Sequence, residues 1–112
     1  MRAIIVDDED AVRETTRIFL ELYAKDIEVL EECSSVAEGY EAICRQRPDL
    51  VLLDIEMPDG TGFDLLSKFS EVTFEVIFIT GHNDYAIKAF KFSAVDYLLK
   101  PLDPEDLINA LD

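Results

Sequence analysis

Five residues of this chain have the types and placement to do chemistry together: the adjacent acids Asp7 and Asp8, the acid Asp54, the hydroxyl of Thr80 and the amine of Lys100. Each follows a short apolar run. Asp7 ends Ala3-Ile4-Ile5-Val6, Asp54 ends Leu50-Val51-Leu52-Leu53, Thr80 ends Val76-Ile77-Phe78-Ile79, and Lys100 ends Val95-Asp96-Tyr97-Leu98-Leu99. If the runs are parallel strands, all five residues emerge at one carboxyl-terminal sheet edge, where open α/β sheets bind ligands. Clustered carboxylates raise one another's pKa unless a cation neutralises them. Hard oxygens in a small, water-accessible site favour magnesium, which keeps several waters and also binds phosphate. A metal there would shield an incoming phosphoryl group from the acids. One carboxylate could then act as a nucleophile and form an acyl phosphate. Lys100 offers a compact positive charge to a phosphoryl oxygen, and Thr80 a hydroxyl donor.

Taken singly, these residues have blander explanations. Asp7-Asp8 could cap a helix and Asp54 a turn; only their convergence with Thr80 and Lys100 favours a site. Gly60-Thr61-Gly62 begins like a dinucleotide fingerprint, but the sixth position is Leu65 and the segment follows the third strand, so the glycines are assigned to the turn into a helix. His82, the one histidine, has no companion ligand and reads as a loop residue. Phe90 and Phe92 read as packing or interface. Tyr97, near the end of a strand, reads from pattern alone as half-buried packing as readily as anything else.

The elements that must position these groups alternate along the chain. Strands are expected over 3–6, 27–33, 50–53, 76–79 and 95–99 from β-branched and apolar runs. Helices are expected from Ala11 to about Tyr23, from Ser35 to before Pro48, over 63–69, over 84–91, and from Asp103-Pro104 onward. Ser35-Val36-Ala37-Glu38 has capping-box spacing, and Asp103-Pro104-Glu105-Asp106 joins a capping acid to proline in the first turn. Met57-Pro58-Asp59-Gly60-Thr61-Gly62 is punctuated as a loop. Strict βα alternation implies a parallel sheet with helices on both faces. No linker, repeat or low-complexity segment interrupts residues 1–112, which read as one domain.

Composition agrees with a folded cytoplasmic domain. A chain of 112 residues, 49% hydrophobic, can bury a core without disulfides. Cys33 and Cys44 lack disulfide-framework or metal spacing, and no apolar run approaches bilayer length. The net charge is −15, from 25 acidic and 10 basic residues, which argues against direct nucleic-acid contact and for a cation site or basic partner.

Asp7-Asp8-Glu9 after the first strand, Asp54 after the third, Thr80 after the fourth and Lys100-Pro101 after the fifth resemble the receiver domains of two-component response regulators, over essentially the whole chain. The resemblance implies a three-layer, doubly wound (βα)5 fold, flavodoxin-like, with parallel sheet order 2-1-3-4-5. It implies that Asp54 takes a phosphoryl group from a histidine kinase or phosphotransfer protein. Asp8 and Asp54 would bind Mg2+ directly, with the Glu56 backbone carbonyl, and Asp7 mainly through water. Lys100 would pair with the phosphoryl group, Thr80 would move towards it and draw in Tyr97 as an aromatic switch, and Lys100–Pro101 would be cis. Glu56 and His82 would tune dephosphorylation, and Gly81 would leave the pocket accessible. The segment from Ala89 to Leu102 is similar to receivers joined to LytTR-type DNA-binding domains. The implied output is transcription control through a DNA-binding domain absent from this chain, with a phosphorylation-dependent homodimer through the fourth helix, fifth strand and fifth helix. Phe90, Lys91 and Phe92 would lie near that interface.

Two other readings have discriminating features. A haloacid-dehalogenase-type phosphohydrolase would want Asp-x-Asp, whereas Asp54-Ile55-Glu56 matches loosely and 112 residues leave no room for a cap domain. A phosphorylation-independent interaction module would lack an acid, the threonine or the lysine; all are present, but intact residues do not prove regulation, and this alternative stays open. The chain is therefore expected to catalyse no turnover beyond its own phosphorylation and dephosphorylation. The last helix is cut to barely two turns, while Leu107, Ile108 and Leu111 form an apolar stripe. The expectation from this is a receiver portion of a longer regulator.

Overall fold

The structure, a computed structural model, describes residues 1–81 and 96–111. Its elements are β1 (Arg2–Val6), α1 (Asp10–Tyr23), β2 (Glu28–Cys33), α2 (Val36–Gln46), β3 (Leu50–Leu53), β4 (Glu56–Met57), β5 (Gly60–Thr61), α3 (Gly62–Ser67), β6 (Glu75–Thr80), β7 (Asp96–Leu99) and α4 (Pro104–Leu111). The expected helix over 84–91, with His82, Phe90, Lys91, Phe92 and the start of the last strand at Val95, lies outside the described residues.

Five strands form one parallel sheet in the order β2-β1-β3-β6-β7. With the two-residue strands β4 and β5 set aside as a separate antiparallel pair, this is the expected 2-1-3-4-5 order of a doubly wound, flavodoxin-like fold. Side chains alternate across a strand, so each central strand serves two cores. Ile4, Val6, Val51, Leu53, Val76 and Phe78 face α2 and α3. Ala3, Ile5, Leu50, Leu52, Ile77 and Ile79 face the other way, into the cluster that holds Leu20 of α1 and Leu107 of α4. β1 and β3 are apolar on both faces because both faces are covered; β2, at the sheet edge, is mostly half-exposed and carries the acids Glu28, Glu31 and Glu32.

Local chemistry explains most element ends, with three differences from expectation. Ser35 caps α2 by accepting from the Glu38 amide at 3.1 Å, but Glu38 does not close a capping box on Ser35: its carboxylate takes the Ser34 amide and hydroxyl instead. The first two amides of α2, Val36 and Ala37, donate to the carboxylate of Asp59 at 2.9 and 3.0 Å. The segment expected as plain loop is a small hairpin, closed by pairing of Glu56 with Thr61 and Met57 with Gly60. It leads into a capping box at α3, where Thr61 accepts from the Asp64 amide and the Asp64 carboxylate accepts from the Thr61 amide. α3 ends at Ser67 rather than 69; the Lys68 and Phe69 amides bond three residues back, to Leu65 and Leu66. At α4, Asp103 accepts from the Glu105 amide at 2.8 Å, as its sequence position predicts. The Lys100–Pro101 bond is cis.

Candidate functional site

The strand register brings the reactive residues to one edge. Val6 of β1 pairs with Leu53 of β3, and Leu53 with Phe78 of β6, so Asp7 and Asp54 leave the sheet at the same level on adjacent strands. Backbone hydrogen bonds hold them there: Asp54 donates to the Val6 carbonyl at 2.9 Å, Asp7 to that of Cys33 at 2.9 Å, and Lys100 to that of Thr80 at 2.8 Å. Thr80 extends β6 past that level, opposite Leu99 of β7.

Above this edge lies a cleft of about 360 Å³ lined by Asp8, Glu9, Asp54, Glu56, Met57, Pro58, Gly81 and Lys100. Carboxylate oxygens of Asp7, Asp8 and Asp54 come within 4.8 Å of one another. Their environments differ. Asp7 and Asp54 are buried and Asp8 is exposed. Lys100 Nζ reaches Asp7 Oδ2 at 3.1 Å, Asp54 Oδ2 at 3.2 Å and Glu9 Oε2 at 3.6 Å. One ammonium thus faces three acids, too little charge to neutralise the cluster.

The proton affinities follow. Burial pushes the Asp7 carboxyl up to about 6; the Asp54 charge adds to this, while the Glu9 amide and Lys100 oppose it. Asp54 is also raised, by burial first, against the pull of Lys100 and the Ile55 amide. Burial alone would lower Lys100, but its bonds and charge interactions with Asp7 and Asp54 outweigh that and hold it above the ordinary lysine value. A site that holds carboxylates against their solvation and offers three hard oxygens in a water-accessible cleft has the donor set of a small divalent cation such as Mg2+.

Of the residues expected here, the structure brings together Asp7, Asp8, Asp54 and Lys100 and places Glu56 on the cleft wall. Thr80 is fully buried and is not one of the residues that line the cleft. Tyr97 is half-buried, its ring 6.3 Å from Phe78. Gly81 lines the cleft, and among the described residues no atom lies within 4 Å of where its β-carbon would stand. Gly62 is required by close approach, since a β-carbon would lie 2.5 Å from the Asp54 carbonyl oxygen.

Sequence reasoning gave no site role to three contributors. Glu9 joins the ion pairs of Lys100. Arg13 donates to the Asp7 carbonyl at 2.6 Å and pairs with Asp10, fixing the turn out of β1. Its spacing from Asp7 on the first turns of α1 was the available signal. Asp59 left no local signal, because its partners lie 22 and 23 residues earlier.

The family model described as "Response regulator receiver domain" matches residues 3–112. The chain is 43% identical over 112 residues to a transcriptional regulatory protein, BtsR, of Shigella flexneri, covering 99% of this chain and 46% of that protein. It thus spans about half the length of the curated relatives it matches. The response regulatory domain of mrkE from Klebsiella pneumoniae superposes with a TM-score of 0.90 at 26% identity, covering 99% of this chain and 92% of that one. A CheY-like response regulator receiver domain from Methanospirillum hungatei gives a TM-score of 0.84 at 30% identity, covering 98% and 89%.

Proposed function

The chain belongs to the response regulator receiver domain family, and from that premise we propose that it receives a phosphoryl group on Asp54 and relays its presence to an output domain. One observation carries the reading: Asp54 stands in an open cleft with carboxylates within 4.8 Å, bridged to Asp7 by the amine of Lys100. In the transfer, an Asp54 carboxylate oxygen forms a bond to the phosphorus of a donor phosphohistidine. The phosphorus–nitrogen bond breaks, its electron pair leaves with the imidazole, and the imidazole takes a proton. Asp8, Asp54 and the Glu56 backbone carbonyl would hold Mg2+ directly, with Asp7 reaching it through water. When bound, Mg2+ supplies the positive charge that offsets repulsion between phosphoryl oxygens and the acid cluster.

Lys100 then exchanges its Asp54 oxygen for a phosphoryl oxygen, keeping a charge-assisted hydrogen bond. Thr80 turns its hydroxyl to the same group, and Tyr97 follows inward. The phosphoryl donor is a sensor histidine kinase or phosphotransfer protein in the cytoplasm. The output is transcription through a DNA-binding domain outside this chain, of LytTR type on the similarity of residues 89–102; the naming of BtsR as a transcriptional regulatory protein supports the output class.

Incubation with Mg2+ and a small acyl-phosphate donor, followed by intact mass measurement, tests the assignment. The parent is expected to gain one phosphoryl mass and the Asp54→Asn variant none; an adduct persisting in the variant would overturn it.

A further inference from the structure

The wall of the cleft made by Glu56, Met57 and Pro58 belongs to a hairpin of only two residue pairs, β4 and β5. So short a hairpin is not stable alone and takes its position from what it is tied to. One tie is internal: the Gly62 amide donates to the Ile55 carbonyl at 2.7 Å. A second lies on the α3 side, where the Thr61–Asp64 capping box closes the hairpin's exit. The third is long-range. At the outer end of the hairpin, directly after Pro58, both carboxylate oxygens of Asp59 accept hydrogen bonds from first-turn amides of α2, Val36 to Oδ1 at 2.9 Å and Ala37 to Oδ2 at 3.0 Å. Gly60, at φ +148°, lets the chain turn back beneath this contact, where a β-carbon would sit 3.4 Å from the Val36 side chain. The two amides also hold the Asp59 carboxyl below its ordinary range.

We propose that Asp59 is a positioning residue for the phosphoacceptor site: by clamping the β4–β5 hairpin to the N-terminus of α2, it sets the position of the Glu56 carbonyl and hence the affinity for Mg2+. The inference rests on the proposed metal site but makes a claim of its own about the hairpin. Asp59 does two jobs at once, since the same bonds cap α2. Ser35, which caps α2 through the Glu38 amide and has no hydrogen bond to the hairpin among the described residues, separates them.

The test compares the parent with Asp59→Ala, Asp59→Asn and Ser35→Ala. Amide hydrogen exchange across residues 55–61 is read without metal, and the Mg2+ dissociation constant from amide NMR shifts. Asp59→Ala is expected to speed exchange across 55–61 and to weaken Mg2+ binding about tenfold, the scale of losing an outer-shell support. Asp59→Asn keeps one acceptor oxygen and is expected to fall between; it carries the test if the alanine variant does not fold. Ser35→Ala is expected to leave both readouts as in the parent. Unchanged affinity in Asp59→Ala, an equal loss in Ser35→Ala, or equal losses in the Asn and Ala variants would overturn the clamp, the last by assigning the effect to charge alone. If the parent shows no Mg2+-dependent shifts, the metal reading fails, and the exchange rates alone decide whether Asp59 holds the hairpin.

Discussion

Asp7 is the most deeply buried acid among the described residues, 2% exposed, with Asp54 beside it and Lys100 shared among three carboxylates. Its pKa in the folded chain, about 6, lies above the ordinary 3.8. Between those values the native state binds more protons than the unfolded state, so stability must fall as pH rises. Asp7's favourable contribution is complete below about pH 4 and lost as pH rises through about 6, a swing on the order of 3 kcal/mol. Removing the carboxylate should therefore help more as pH rises. In EDTA, urea unfolding of parent and Asp7→Asn is expected to show the variant gaining relative stability from pH 4.5 to 7.5; a pH-independent difference would contradict the shift. Saturating Mg2+ is expected to restore the parent at pH 7.5, by about 2.7 kcal/mol at a hundredfold excess over the dissociation constant. Asp54 is raised in the same direction, again by burial first.

At the scale of elements, α2 is tied down at both ends. Its N-terminus is capped by Ser35 and Asp59, and its last carbonyls, Gln46 and Arg47, accept from the Arg2 guanidinium at 2.8 and 3.1 Å. The weak point is Arg47, which ends the helix in the left-handed region at φ 48°, ψ 68°. A residue with a β-carbon pays a steric penalty there that glycine avoids. Arg47→Gly leaves the backbone carbonyl that Arg2 uses in place. It is expected to stabilise the domain by about 0.5–1 kcal/mol, the steric relief exceeding the added unfolded-state entropy. Denaturant unfolding checks the sign, and a loss of stability would mean that the Arg47 side chain contributes more than its backbone costs.

At the scale of the molecule, the sheet leaves β7 at one edge, with Leu99 46% exposed, next to α4. An apolar side chain on an edge strand is suited to a partner surface. The resemblance to receivers implies a homodimer through the expected fourth helix, the last strand and the last helix, formed when Asp54 is phosphorylated, and an exposed Leu99 fits such a face. Sedimentation of the chain with Mg2+ is expected to show association on adding a stable phosphoryl mimic and none without it; a monomer under both conditions at high concentration would refute the dimer. The net charge of −15 opposes self-association elsewhere on the surface. No helix among the described residues is long and apolar enough to cross a membrane.

Much of this protein was determined locally and could be read in order along the chain. Buried parallel strands must be apolar on both faces, so β1, β3 and β6 announce themselves as unbroken runs, and the polar residue ending each run marks the sheet edge. That is why the sequence places Asp7, Asp54, Thr80 and Lys100 at one edge, while the proline after Asp103 marks that acid as a cap. What the sequence left open depends on partners distant along the chain. The depth of Asp7 against the exposure of Asp8, the sharing of Lys100 among three acids, and the burial of Thr80 depend on how the strands and the loops after them pack together. The β4–β5 hairpin carries too few residues for a strand pattern, and the Asp59 bonds to α2 span more than twenty positions. Hydrogen bonds of that range have no periodicity to betray them; only closure of the βα units around the sheet brings the two backbones within reach.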